Sequence, residues 1–325
     1  MAAPLALAWE VNGLQLAGLS WGQPGARPLL ARHGWLDNAA SFEVLAPLLD
    51  QYHVVAVDLT GHGRSDCRSP DAGYQIWDDL PELLGALDQL GWHTFALMGH
   101  SRGGMIATLL ASVIPERVSH LVLLDGIAPK AVSEGDFPLQ LRRFLDDKRQ
   151  WSQRRNRVYP SVDAAVASRA RTWGPGSGAR ALVERNLRSC EEGFTWTTDL
   201  RLRGASAVKL NSGQIDAVFG ALSMPTLLFV ARPEGAEGSE VVLQARAAIA
   251  QLEVVQVSGG HHFHMGSGAA IVALQNSRFL QQLWKSQRND KQFCTRTQVM
   301  VGIAIHGRQF SCAGRGRPGV VTTTQ

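Results

Sequence analysis

Thr94–Ala111 reads T-F-A-L-M-G-H-S-R-G-G-M-I-A-T-L-L-A, and no other stretch constrains the chain so tightly. Thr94–Met98 is a short apolar run of strand character. Gly99-His100-Ser101-Arg102-Gly103 is G-x-S-x-G, and Met105–Ala111 continues apolar and alanine-rich, as a helix would. A strand that bends into a helix through this pentapeptide forms a nucleophile elbow. The bend strains the backbone of its central residue, and flanking glycines keep side chains clear of strand and helix. The serine hydroxyl then stands at a helix N-terminus, where free N–H groups and the helix dipole favour negative charge. Alone, the pentapeptide describes any serine in a glycine-rich turn; the strand before it and the helix after it supply the specificity.

The flanking sequence sets this elbow in an alternating pattern. Leu5–Trp21 alternates apolar and polar residues around Asn12-Gly13, the signature of a two-residue hairpin. Strands are expected at Pro28–Arg32, His53–Val57, Val118–Leu124, Thr226–Val230 and Glu253–Val257. Helices are expected at Phe42–Leu49, Ile76–Leu90, Glu240–Gln251 and Ile271–Trp284. Strands and helices at this spacing make a mostly parallel sheet wrapped by helices. The rhythm stops between residues 130 and 203, a helix-compatible stretch with fifteen basic residues against nine acidic. It is expected to be a helical insertion over the sheet, its arginines lying on solvated helix faces and its tryptophans (Trp151, Trp173, Trp196) roofing an apolar pocket. The expected division is therefore a core of residues 5–129 and 204–285, a cap of residues 130–203 and a basic tail of residues 286–325, the tail disordered or loosely docked.

Composition bounds the function. Of the 325 residues, 45% are hydrophobic and 18% charged, as in globular proteins, and no apolar run reaches membrane-spanning length. The apolar N-terminus lacks a basic start, so no signal peptide is expected. Cys67, Cys190, Cys294 and Cys312 lack metal-binding spacing, which suits free thiols in a reducing, cytoplasmic setting and no metal. The net charge of +4 comes from the tail, where Arg288, Lys291, Arg296, Arg308, Arg315 and Arg317 face only Asp290. A small-molecule substrate is therefore expected rather than nucleic acid or membrane, with the oligomeric state open.

A serine hydroxyl needs a base within hydrogen-bond reach. Among ten histidines, the cluster in Gly259-Gly260-His261-His262-Phe263-His264 follows the last strand, at the sheet edge to which the elbow points. His261 is the best-placed base. The imidazole in turn needs a carboxylate, and two remain open: Asp125, after the strand that follows the elbow helix, and the alternative Glu234, after Thr226–Val230. Both keep the chain order serine, acid, histidine. The oxyanion donors are expected to be the backbone N–H groups of Arg102 and Trp35, with His33, Gly34 and His100 in contact with substrate.

Together, H-G-W at 33–35, D-L-T-G-H-G-R-S at 58–65, G-H-S-R-G at 99–103 and G-G-H at 259–261 resemble the α/β-hydrolase superfamily. H-G-W-L-D-N-A-A-S-F at 33–42, L-V-L-L-D-G at 121–126 and H-H-F-H-M at 261–265 resemble its serine hydrolase-like (kraken-type) group. The resemblance spans Leu5 to Trp284. It implies an α/β-hydrolase fold with a cap inserted after the strand following the elbow, Ser101 as nucleophile and His261 as base. It also implies cofactor-free cleavage of a small ester, thioester or amide. For the acid, the superfamily pattern points to Glu234, whereas capped relatives and this group point to Asp125. A non-catalytic receptor or an acyltransferase on the same fold are the alternatives. Serine at the elbow argues against dehalogenase or epoxide hydrolase chemistry, which uses aspartate there.

Overall fold

The computed structural model describes residues 3–174, 179–232 and 239–281. The chain divides into a unit of Met1–Ser277 and a second unit from Arg278 onward, of which only residues 278–281 are described. Glu234 and the tail lie outside the described residues. Among the described residues, no helix is long and apolar enough to cross a membrane.

Strands β1 (Leu5–Val11) and β2 (Leu14–Trp21) form the expected antiparallel hairpin. Asn12 and Gly13 both take positive φ at its tip, 54° and 76°, which asparagine and glycine tolerate best. β3 (Arg27–Arg32) and β4 (Tyr52–Val57) follow. The segment between them, expected as one helix over Phe42–Leu49, instead holds two short 3₁₀ turns, Ala39–Phe42 and Ala46–Leu48. Pro47 has no N–H to donate to Glu43, so a continuous helix cannot pass through it. Pro81 acts in the same way on α1 (Leu80–Gln89), which starts at this proline rather than at Ile76.

β5 (Phe95–His100) leads through Ser101 into α2 (Arg102–Val113), and β6 (Val118–Leu124) follows. The stretch after β6 contains α3 (Phe137–Gln150), β7 (Val158–Tyr159), α4 (Val162–Trp173), α5 (Arg180–Arg185), β8 (Leu187–Cys190) and β9 (Gly193–Trp196). The expectation of helices alone missed the small antiparallel sheet β7-β9-β8. Its centre, Phe194-Thr195-Trp196, is aromatic and β-branched, and Gly193 turns at φ 129°. The chain then returns through α6 (Ser212–Gly220), β10 (Thr226–Arg232), α7 (Glu240–Ala248) and β11 (Leu252–Ser258), after which residues 268–281 form α8.

The main sheet has eight strands in the order β1-β2-β4-β3-β5-β6-β10-β11, parallel from β4 onward. Its middle strands are apolar and buried on both faces, as a helix-covered parallel sheet requires: Leu29, Leu30, Val55, Leu97, Met98, Leu121 and Leu123 are each 1% exposed or less. The order reverses at β3, because the chain steps to β4 on one side and then to β5 on the other. A crevice opens at the carboxyl ends of strands where such a reversal occurs. The loop after β3 and the elbow after β5 meet there.

Candidate active site

Ser101 occupies the elbow with φ 51° and ψ −121°, outside the regions L-residues ordinarily adopt. Two glycines make the bend sterically possible. A Cβ on Gly99 would lie 2.4 Å from the Gly103 carbonyl oxygen, and one on Gly103 would lie 2.3 Å from that of His33. The second contact also brings the start of α2 against the loop after β3. The Ser101 N–H donates to the Leu124 carbonyl at 2.8 Å, while its side chain makes no capping bond to α2 and stays uncommitted.

At the end of β6, Asp125 also has a positive φ, 51°. Its N–H donates to the Phe229 carbonyl at 2.8 Å, and its Oδ1 accepts the Ala231 N–H at 2.8 Å, so β10 fixes both backbone and carboxylate. The free Oδ2 lies 2.5 Å from His261 Nδ1. Burial pushes the Asp125 carboxyl up, but the hydrogen bonds from His261 and Ala231 outweigh it and hold the group below its ordinary value. The His261 side chain remains 43% exposed. His261 is tied to the elbow as well: His100 Nε2 donates to its backbone carbonyl at 3.0 Å, and the two rings lie 4.7 Å apart.

The expected oxyanion donors belong to the loop after β3 and to the first residue of α2, two elements that Gly103 brings into contact. Among the described residues, neither the Trp35 nor the Arg102 backbone N–H has a hydrogen-bond partner, as donors reserved for an incoming charge would not. The Trp35 indole donates to the Leu202 carbonyl at 3.0 Å, locking the loop to the inserted segment.

Substrate contact by His33, Gly34 and His100 is not supported. His33 and His100 are fully buried, and Gly34 is buried as well. The His33 ring is engaged at both nitrogens, with the Gly34 carbonyl at 2.8 Å and the Leu59 N–H at 2.9 Å. A Cβ on Gly34 would sit 2.8 Å from His100 Nδ1, so this glycine makes space for the ring. All three brace the loop.

The bracing centres on Asp37, which is fully buried. Its Oδ1 pairs with Arg169 of α4, and its Oδ2 faces His100 Nδ1 at 3.5 Å and His262 Nε2 at 3.7 Å. Burial raises the Asp37 carboxyl, but His100 and Arg169 overcome that and hold it far below the usual carboxylate range. Burial pushes His262 down to about 4, so its imidazole is neutral near pH 7. Asp37, His100 and His262 are the described residues whose donor atoms could surround a metal, all lying within 4.8 Å of one another. The Arg169 guanidinium already supplies positive charge to this carboxylate. Arg169 and, from α5, Arg185 correct the expectation of solvated arginines: both are buried, paired with Asp37 and Asp58. Only a distant carboxylate distinguishes them from their surface neighbours, so nothing local in the sequence marks them.

A sequence profile of the α/β hydrolase fold matches residues 27–267. A serine hydrolase-like protein of Danio rerio is 29% identical over 79% of this chain and 82% of its own. A serine hydrolase-like protein of Homo sapiens is 37% identical over 45% of this chain and 68% of its own. The crystal structure of a hypothetical protein from Pseudomonas aeruginosa superposes with a TM-score of 0.79 at 31% identity, covering 86% of this chain and 99% of that one. With the elbow, the parallel sheet and the histidine loop in place, the chain belongs to the α/β-hydrolase fold family, in its serine hydrolase-like group, and is a hydrolase.

Proposed function

We propose that this hydrolase cleaves a small carboxylic ester, thioester or amide through an acyl-enzyme on Ser101, with His261 as general base and Asp125 as the acid that orients it. The observation that carries the reading is the 2.5 Å contact between His261 Nδ1 and Asp125 Oδ2, which leaves Nε2 for the serine proton. Ser101 Oγ attacks the carbonyl carbon as its proton passes to His261 Nε2, and the Trp35 and Arg102 N–H groups receive the oxyanion. The imidazolium then protonates the departing oxygen, sulfur or nitrogen as its bond to carbon breaks. Water repeats the sequence on the acyl-enzyme, releasing the acid and restoring the serine proton. Residues 130–203 act as a cap over this site, and the substrate is a small molecule.

Labelling with a fluorophosphonate tests the reading. Wild type is expected to be labelled at one serine, and Ser101→Ala to remain unlabelled. A wild-type protein indifferent to the reagent sinks the proposal and leaves a ligand-binding role on the same fold. Product analysis with added alcohol separates hydrolysis from acyl transfer.

A further inference from the structure

The inserted segment lines a half-open cavity of about 310 Å³, with Leu36 of the loop after β3 and Trp173 of α4 in its wall. Trp173 packs on Trp35 with ring centroids 5.6 Å apart, so the cavity begins one side chain away from a proposed oxyanion donor. Trp173 and Trp196 line it with Leu36 and Leu200, but it is not the purely apolar pocket expected. Its wall carries four guanidinium groups, from Arg155, Arg157, Arg169 and Arg203, and no aspartate or glutamate.

Several other arginines of the segment are neutralised. Arg154 pairs with Asp147, Arg180 with Asp163 and Glu184, Arg185 with Asp58, and Arg201 with Asp199. Among the described residues, Arg169 alone of the four at the cavity has an ion pair, with Asp37. Arg155 donates to the carbonyls of Ser152 and Arg154 at 2.6 and 2.8 Å, and Arg157 lies 5.3 Å from the centre of the Tyr159 ring. Among the described residues, no carboxylate pairs with Arg155, Arg157 or Arg203. Burial lowers the Arg169 pKa, Asp37 opposes this, and the nearby charge of Arg203 adds to the lowering. Arg169 is buried, whereas Arg155, Arg157 and Arg203 are exposed around it; like charges gathered around a concave space repel, and an anion that joins them relieves the repulsion. Guanidinium forks also match the planar or tetrahedral oxygens of carboxylate and phosphate.

We propose that this cavity binds a carboxylate or phosphate group carried by the substrate at a distance from the bond that is cut, making the enzyme selective for anionic substrates. The inference rests on the hydrolase reading at Ser101 for its substrate and on the unpaired arginines for its charge.

The test compares full-length protein on neutral p-nitrophenyl alkanoates and on mono-p-nitrophenyl esters of dicarboxylic acids of increasing chain length. At low ionic strength, one length of carboxylated ester is expected to exceed its neutral counterpart about tenfold in kcat/KM, mainly through KM, and the ratio to fall as salt is added. Arg157→Gln and Arg203→Gln should each lower that ratio several-fold, with Arg203→Lys retaining part of it. A second arm measures glutarate and inorganic phosphate binding to Ser101→Ala by calorimetry. The tighter of the two names the group, and loss of binding in the Arg157→Gln and Arg203→Gln backgrounds assigns it to the cavity. Ester turnover with no preference at any chain length overturns the proposal while leaving Ser101 as nucleophile, whether or not the anions bind. Anion binding lost with the arginines, in a protein that turns over neither ester series and is not labelled by the fluorophosphonate, sustains the site and overturns the nucleophile. Anion binding that survives both glutamine variants, or no binding at all, removes the cavity as its seat.

Discussion

Arg185 of α5 straddles the carboxylate of Asp58, with Nε 3.1 and 2.9 Å from the two oxygens and Nη2 2.9 Å from Oδ2. Neither side chain is more than 6% exposed. Asp58 also accepts the Ala39 N–H at 2.7 Å and the Arg64 N–H at 2.8 Å, so one carboxylate joins the inserted segment to two loops at the sheet edge. Removing one member of a buried pair strands the other charge. Arg185→Met is expected to destabilise by about 3–5 kcal/mol, and the double variant with Asp58→Asn to recover part of that loss. Urea unfolding of the two singles and the double checks it; an additive double would contradict direct coupling.

The backbone at Ser101 leads to an opposite effect on stability. A serine at φ 51° and ψ −121° carries strain of about 1–3 kcal/mol, which glycine relieves at about 0.5–1 kcal/mol of added flexibility. Ser101→Gly should therefore abolish turnover while raising stability by about 1 kcal/mol, read as a higher melting temperature.

Asp125→Asn should lower kcat by about 10²–10⁴-fold with little change in KM, because the amide cannot hold the imidazole in the same tautomer or stabilise its charge. Glu234→Gln should stay near the wild-type rate; the reverse pattern would reassign the acid. The folded-state pKa of Asp125 is depressed, so its contribution to stability is complete above the unfolded value of 3.8 and disappears as pH falls through the lower folded value. The stability gap between wild type and Asp125→Asn should accordingly close on acidification below pH 3.8.

Two histidines make the fold acid-sensitive at higher pH. Burial pushes both His120 and His262 from 6.5 down to about 4. The unfolded chain takes these protons first, so the stabilisation is complete above pH 6.5 and is lost as pH falls toward 4, up to about 3 kcal/mol for each group. His120, whose Nε2 lies 2.9 Å from the Tyr52 hydroxyl, is the cleaner test because it is remote from the site. Stability measured from pH 7.5 to 4.5 should fall less steeply in His120→Gln than in wild type.

How much of this was legible follows from how local each determinant is. The elbow and the Asn12-Gly13 hairpin are written in consecutive residues, and both occur where read. The 3₁₀ turns around Pro47 and the late start of α1 show proline overriding apolar periodicity. Strand-end reasoning could not choose between Asp125 and Glu234, because β6 and β10 are neighbours whose carboxyl ends share one edge of the sheet. Asp125 is aimed at His261 by a left-handed turn and a hydrogen bond from Ala231, 106 residues away, neither of which a strand end announces. Arg169 and Arg185 were illegible for the same reason: their partners lie 132 and 127 residues off.

The two ends of the inserted segment are anchored unequally. α4 and α5 send Arg169 and Arg185 into the interior, whereas α3 has Gln140 as its sole buried residue and leaves Phe137, Leu139 and Leu145 about half exposed. The His100–His261 contact, by comparison, ties the elbow and the histidine loop directly to each other. Among the described helices of the segment, α3 is thus the one least held by the interior, and opening of the segment is expected to begin there.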